Sequence, residues 1–400
     1  MGEPTSEPPL KVLEVYSQVY THIKGGLQTM LHTLVDELGQ KHRITFFEAA
    51  HWQHTTLEQR VEKGYTHYRK RLRSPLDRNN PVMGFIGWLR EFPKSLWQLR
   101  QLCRQEQIEI IHLHTLQEHH AYFRMLSILG GPPYVITLHG SDVAKFDRQK
   151  GLVRWLLQWS LKGASAVVSV SQTLHNDAQQ VFAADLPLTW IANGIDTTPP
   201  NRAPITPPFS DTSQPYCILA GHLDPNKGQD LAIQAWLRLR QRQPDLHLLL
   251  IGSLEPQPQY EKEVRALLEK ELSPGRIHLL GGLCRDETLA LAASPNCVGW
   301  LMPSLREGLP YALLECGVLG KPLLCSGVEP FTDLVQEGTE AVMLPPRDAQ
   351  AWAEAVCELL EKPGEAQARA QALNRRVIKS YSATGMANAY ADLFNKLLNR

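Results

Sequence analysis

The chain lacks long apolar runs, an excess of either charge and any paired-cysteine motif. No apolar stretch approaches the roughly 20 residues that a membrane span needs. Residues 1–9 are polar and no apolar segment follows them, so no secretory leader is expected. Lys+Arg and Asp+Glu each number 41, and the formal net charge is zero. A chain without a polyelectrolyte signature is not expected to bind nucleic acid. The seven cysteines are scattered and none forms Cys-x-x-Cys, so neither a zinc site nor a disulfide framework is expected. They read as buried, reduced thiols of a cytoplasmic protein. The Gly-x-Gly-x-x-Gly fingerprint is missing from the first strand–helix turn, which argues against a dehydrogenase. No Gly-x-Ser-x-Gly elbow occurs, so no hydrolase nucleophile is in view.

What is present is an alternation of apolar runs with amphipathic stretches, the pattern of parallel α/β layers. A chain of 400 residues is too long for one ordinary core. Strands are predicted at 12–16, 44–47, 108–113, 134–138, 166–170 and 188–191, then at 217–220, 246–251, 277–280, 298–302, 322–325 and 341–344. Gly26 precedes a helix through Leu38, and Ser171 is placed to cap another. Pro, Thr and Ser crowd the segment between the two strand series, which marks a linker. The expected organisation is a Rossmann-like domain over 1–198, a Pro-rich linker over 199–214, a second Rossmann-like domain over 215–380, and a final helical segment over 381–400.

One segment of the second half carries chemistry. Glu307 and Glu315 bracket Gly308-Leu309-Pro310-Tyr311-Ala312-Leu313-Leu314, between the apolar run 298–302 and Gly320. The pattern predicts a strand, a turn and a helix whose first turn holds Gly308 and Pro310. Free N–H groups at a helix start make an anion seat. Eight helical residues span roughly 12 Å, too far for a glycosidase carboxylate pair. That spacing suits two acceptors gripping the ends of an elongated ligand with anions in the middle. The alternative is a helix-start glutamate and a solvated face glutamate.

The stretch Pro303-Ser304-Leu305-Arg306-Glu307-Gly308-Leu309-Pro310 through Glu315 resembles the spaced-glutamate motif of family 4 glycosyltransferases, which have the GT-B fold. So do the Gly25-Gly26 loop, Leu138-His139-Gly140-Ser141-Asp142, Asn193-Gly194-Ile195-Asp196, and Gly221-His222-Leu223-Asp224-Pro225-Asn226-Lys227-Gly228. These segments occur in the family's order and cover nearly the whole chain. The resemblance implies two Rossmann-like α/β domains with a cleft between them, the first on the acceptor side and the second binding the donor. It also implies that the final helix returns to the first domain. The implied activity is metal-independent, retaining transfer of a hexosyl group from a nucleotide-diphosphate sugar to a glycan, lipid-linked or small-molecule hydroxyl, within glycan or cell-envelope polysaccharide synthesis. No cofactor is implied.

The same resemblance assigns roles. Lys227 neutralises the diphosphate, His139 contacts the donor sugar near the reacting carbon, and Glu307 faces that sugar. Gly25, Gly26, Gly308, Leu309 and Pro310 bring backbone to the donor, and Glu315 accepts from the ribose hydroxyls. Asp142 orients His139 or binds acceptor, and His114 lies on the acceptor side. His222 is a departure, because the family usually has arginine there. A histidine's charge near neutral pH depends on its site. A pH-sensitive enzyme, compensation by Arg306, and weakened catalysis therefore all stay open.

Two further readings come from the residues. His112, His114, His119 and His120 form a cluster without a usual metal-ligand spacing, so a strand-end lining is expected and no metal. The stretch 64–103 combines the basic run 68–73 with Phe85, Trp88, Leu89, Phe92, Leu96, Trp97 and Leu99. It reads either as a core-facing helix with a cationic rim or as a basic amphipathic surface for anionic lipid. The second would put the protein peripherally on the inner face of the membrane. A nucleotide-sugar 2-epimerase of the same fold and a degenerate nucleotide-sugar-binding protein are the competing functions.

Overall fold

The computed structural model describes residues 8–17, 26–49, 56–62, 64–75, 81–182, 185–198, 205–253, 258–269, 275–307, 309–329 and 331–399. Gly25 and Gly308 lie outside the described residues. The chain divides into two compact units, residues 1–194 with 383–400, and residues 195–382.

The first unit is built on an eight-stranded sheet in the order β3-β4-β2-β1-β5-β6-β7-β8. Its strands are β1 (Lys11–Ser17), β2 (Arg43–Ala49), β3 (Glu58–Glu62), β4 (Tyr65–Lys70), β5 (Ile110–His114), β6 (Tyr134–Leu138), β7 (Ala166–Ser169) and β8 (Leu188–Trp190). Every pairing is parallel except β3 with β4. Every residue of β5, β6 and β7 is buried, as expected for parallel strands covered on both faces. Ser171 caps the helix Gln172–Val181 by accepting from Leu174 N at 3.2 Å. The helix Ala383–Leu397 belongs to this unit, and its Tyr390 and Phe394 pack on the His112 ring.

The second unit carries a six-stranded sheet in the order β11-β10-β9-β12-β13-β14. Its strands are β9 (Tyr216–Ala220), β10 (His247–Ile251), β11 (Ile277–Gly281), β12 (Cys297–Met302), β13 (Leu323–Ser326) and β14 (Val342–Leu344). All are parallel. Trp236 and Trp352 lie in one apolar cluster on this sheet. In each sheet the winding direction reverses beside the first strand, between β1 and β5 and between β9 and β12. Ligands of open α/β sheets bind outside the carboxyl ends of the strands at such reversals.

Three expectations change. The basic run is not a free cationic face. Tyr68–Lys70 ends strand β4, Lys70 is buried, Arg69 Nε bonds Glu48 Oε2 at 2.7 Å, and Arg73 pairs with Glu91 at 2.9 Å. The helix Pro81–Gln105 is divided along its length. Leu99, Leu102 and Cys103 are core, whereas Met83, Phe85, Ile86, Leu89 and Trp97 are exposed. The helix after Glu307 begins only at Tyr311, with Pro310 as its extended N-cap at ψ 110°. The residue before a proline is pushed out of the α region, so Glu307 and Glu315 do not share one helix. The 12 Å helical estimate therefore does not apply.

No helix among the described residues is long and apolar enough to cross a membrane.

Candidate functional site

Two constellations sit at the two strand reversals, one in each unit. In the second unit, the turn after β9 is locked to the loop after β12. Gly228 adopts φ 68°, and a Cβ there would lie 2.4 Å from Pro303 O. Only glycine tolerates both the conformation and the approach. Leu305 N donates to Asn226 O at 2.7 Å across the same junction. This closeness brings Lys227 to Glu307, 80 residues on: Nζ lies 2.6 Å from Oε1. Ser304 Oγ donates to the same oxygen at 2.7 Å. The lysine side chain is 29% exposed and the glutamate 9%, so the cation faces outward and the carboxylate anchors it.

His222 sits in the same turn. Its Nδ1 lies 2.7 Å from Ser253 Oγ, and Gln229 Nε2 donates to its carbonyl at 2.8 Å. Burial and then the neighbouring Lys227 lower its pKa below the ordinary value. The imidazole is therefore held mostly neutral near pH 7. Gly252 is explained here by packing: a Cβ would lie 1.9 Å from Gly221 O. Gly252 and Ser253 thus shape the His222 turn.

Glu315 lies in the helix Tyr311–Leu319, with Oε1 accepting from Arg285 Nε at 2.8 Å. Burial raises its pKa and Arg285 opposes the rise. A carboxylate has about four lone-pair sites, and Arg285 Nε uses one. Pro310 O accepts from Leu313 N at 3.0 Å, so its carbonyl already serves the helix start. Leu309 is half-buried beside it.

In the first unit, β1 and β5 pair with Glu14 opposite His112. Strand alternation puts His114 on the same face. His114 Nε2 lies 2.7 Å from Glu14 Oε2, and His112 Nδ1 lies 3.0 Å from that oxygen. His114 Nδ1 reaches His139 Nε2 at 3.2 Å. His112 Nε2 meets Thr137 Oγ1 at 2.8 Å, and Thr137 meets Tyr390 OH at 3.0 Å. Asp142 accepts from His139 N at 2.6 Å and from Leu116 N at 2.8 Å. Its carboxylate therefore holds the backbone of the His139 segment. His114 is 2% exposed with both ring nitrogens engaged, so it cannot meet an acceptor directly. Gly26 is exposed at the start of the helix Gly26–Leu38.

Glu14, His112 and His114 place one potential metal-ligand atom each within 4.8 Å of one another. Each of those groups is already hydrogen-bonded to another. His119 and His120 do not join them; His120 is fully buried and neither ring nitrogen has a partner. Sequence reasoning assigned no role to Glu14, Ser304 or Arg285. Only Glu14 left a signal, a carboxylate inside the apolar strand Lys11–Ser17, where an unpaired charge is rarely buried.

Residues 206–377 match the family model described as glycosyl transferases group 1, and residues 24–199 match that of glycosyltransferase family 4. The chain is 25% identical over 295 residues to glycogen synthase of Mycobacterium tuberculosis, covering 72% of this chain and 68% of that protein. It is 22% identical over 336 residues to alpha-D-kanosaminyltransferase of Streptomyces kanamyceticus, covering 78% and 85%. Among solved structures, sucrose-phosphate synthase from Thermosynechococcus elongatus superposes with a TM-score of 0.76 at 17% identity, covering 98% of this chain and 99% of that one. Anabaena HepE in complex with UDP and glucose gives 0.74 at 16%, covering 97% and 100%. These likenesses show the GT-B fold.

Proposed function

Because this chain belongs to the group 1 glycosyltransferases of family 4, we propose that it transfers a hexosyl group from a nucleotide-diphosphate sugar to an acceptor hydroxyl. The observation that carries this reading is the Lys227–Glu307 pair at 2.6 Å, set at the β9/β12 reversal with a partly exposed ammonium. A leaving diphosphate needs a cation aimed at the charge that develops. Lys227 supplies it, and no metal ion is required in this reading. In the free protein Glu307 holds the lysine in place. On donor binding the phosphates share the ammonium, and Glu307 turns its remaining lone pairs to the sugar. Glu315, braced by Arg285, accepts from the ribose hydroxyls. Gly25, Gly26, Gly308 and Leu309 offer backbone to the donor, and His139 contacts the sugar. Transfer proceeds with retention, by attack on the face the diphosphate leaves.

HepE was solved with UDP and glucose, which makes UDP-sugars the first donors to try. The named relatives differ in product, a glycan in one and a kanosaminyl conjugate in the other. The acceptor stays a glycan, lipid-linked or small-molecule hydroxyl. Exposed Met83, Phe85, Ile86, Leu89 and Trp97 favour peripheral contact of the helix Pro81–Gln105 with the cytoplasmic face of a membrane.

A thermal-shift series with UDP-, GDP- and ADP-sugars tests the donor, since ligands of the folded state raise Tm by mass action. One class is expected to raise Tm, and the rise should vanish in Lys227→Ala. No shift with any of the three removes the donor assignment. Product analysis then separates transfer from C2 epimerisation and from binding without turnover.

A further inference from the structure

The first unit holds a buried polar chain that the transferase reading leaves unused: Tyr390, Thr137, His112, Glu14 and His114, ending on His139. We infer that Glu14, acting through His114, fixes His139 in the tautomer that carries its proton on Nε2 and leaves Nδ1 as the acceptor for a donor-sugar hydroxyl. Glu14 and His114 are then positioning residues of the reaction. The inference rests on the reading of His139 as a sugar contact.

The proton positions follow one another along the chain. Glu14 is 0% exposed. Burial alone would raise its pKa, but His112 and His114 outweigh that and hold it at about 2. An ionised carboxylate only accepts, so His112 Nδ1 and His114 Nε2 must both donate to it. Burial, reinforced by His112, lowers the pKa of His114 to about 4, so the ring carries one proton. With that proton on Nε2, Nδ1 is a lone pair. Among the described residues the group that meets it is His139 Nε2 at 3.2 Å, which must then be the donor. Burial also pushes the pKa of His139 well below the ordinary value, so its ring too is neutral. Its single proton is spent on His114, and Nδ1 is left as acceptor. Asp142 fixes the backbone of the same residue through His139 N at 2.6 Å.

Two alternatives use the same residues. A purely structural network would stabilise the sheet without setting the proton of His139. A metal ion on Glu14, His112 and His114 would take the very nitrogens that donate to Glu14.

The test reads ring nitrogens directly, on the full chain labelled with 15N-histidine. His139→Asn identifies the His139 signals by their disappearance. Wild type is expected to show His139 neutral and protonated at Nε2 only. His114→Gln should keep that state, because its NH2 can donate to Glu14 while its carbonyl oxygen accepts from His139. His114→Leu should replace it by tautomer averaging. In turnover assays kcat should fall about 10- to 100-fold in His114→Leu, the cost of a misplaced reacting group, and stay within about threefold of wild type in His114→Gln.

Protonation at Nδ1 in wild type overturns the inference, and so do unchanged His139 signals in His114→Leu. Shifts of the His112 and His114 nitrogens on adding zinc or EDTA overturn it in favour of a metal site. The nitrogen readout needs no donor. If it fails while wild type still transfers sugar, the relay falls and the transferase stands. If it succeeds while no nucleotide sugar binds, the transferase reading falls instead.

Discussion

The two constellations occupy equivalent places in their sheets, yet they are built in opposite ways. Around Glu14 every partner is buried, and the hydrogen bonds close on one another before any ligand arrives. Around Lys227 and Arg285 the bonds are ion pairs whose cations are about a third exposed. A buried network keeps its geometry because opening it leaves unpaired groups in a low dielectric. A half-exposed ion pair is worth little in water, so a diphosphate can redirect it cheaply. The first unit is fixed beforehand, and the second holds charges ready to change partners.

Glu14→Ala should break that contrast most severely. It removes the acceptor of two buried histidines, and loss of one partner from a buried pair costs about 3–5 kcal/mol. Denaturant unfolding at pH 7 measures it. The folded-state pKa of Glu14 is depressed to about 2. Its contribution is therefore present above the unfolded value, near 4.5, and is lost as pH falls toward 2. Wild type should lose about 3 kcal/mol over that window, and Glu14→Ala should lack that part of the acid dependence. Equal stability of the two proteins at pH 7 would mean that the network is not holding the sheet.

Lys227→Ala should show the reverse profile. Removing one preorganised charge stabiliser costs about 10²- to 10³-fold in turnover, read as kcat/KM with the donor found by thermal shift. Stability should change by no more than about 1 kcal/mol. A large loss of Tm with little loss of turnover would make the pair structural and end the contrast. Arg285→Ala should fall between the two extremes. It leaves Glu315, whose side chain is 12% exposed, without its cation. A cost of about 1–3 kcal/mol is expected at pH 7. The loss should shrink in Arg285→Ala/Glu315→Gln, where no carboxylate is stranded.

The sheets were legible in the sequence because parallel strands are apolar along their whole length. Strand 134–138 matches β6 to the residue, and most others fall within two residues. The pair β3 and β4 escaped because Glu58–Glu62 is exposed throughout and β4, Tyr-Thr-His-Tyr-Arg-Lys, has no aliphatic residue. Charge there reads as surface until Arg69 is seen on Glu48. In the candidate site, Lys227, Glu307, Glu315, His139 and His222 were legible as motif positions, but their partners were not. Arg285 lies 30 residues before Glu315, and Glu14 lies 98 before His112. The sheet order that puts β5 beside β1 joins Glu14 to His112, and the packing of helix Arg285–Ala293 against helix Tyr311–Leu319 joins Arg285 to Glu315. The same gap explains the reassignment of His114, since burial decides its role and no motif reports burial.

His222 gives the smallest effect and tests the exchange of partners most directly. Its pKa lies below the ordinary value because the ring is partly buried and faces Lys227. A bound diphosphate places negative charge beside it and favours the imidazolium. The bound-state pKa is then the higher one, so donor binding takes up a proton. Affinity is therefore greatest at low pH and fades as pH rises through the bound-state value. Each unit by which binding raises that pKa adds up to about tenfold to the span. A change of a few-fold between pH 6 and 8 is expected in donor titrations of wild type. His222→Arg carries a permanent charge, so its titration should be flat across that range and its affinity at pH 8 higher than wild type. Identical profiles in the two proteins would take His222 out of the donor site and leave Lys227 as the sole cation argued for the diphosphate.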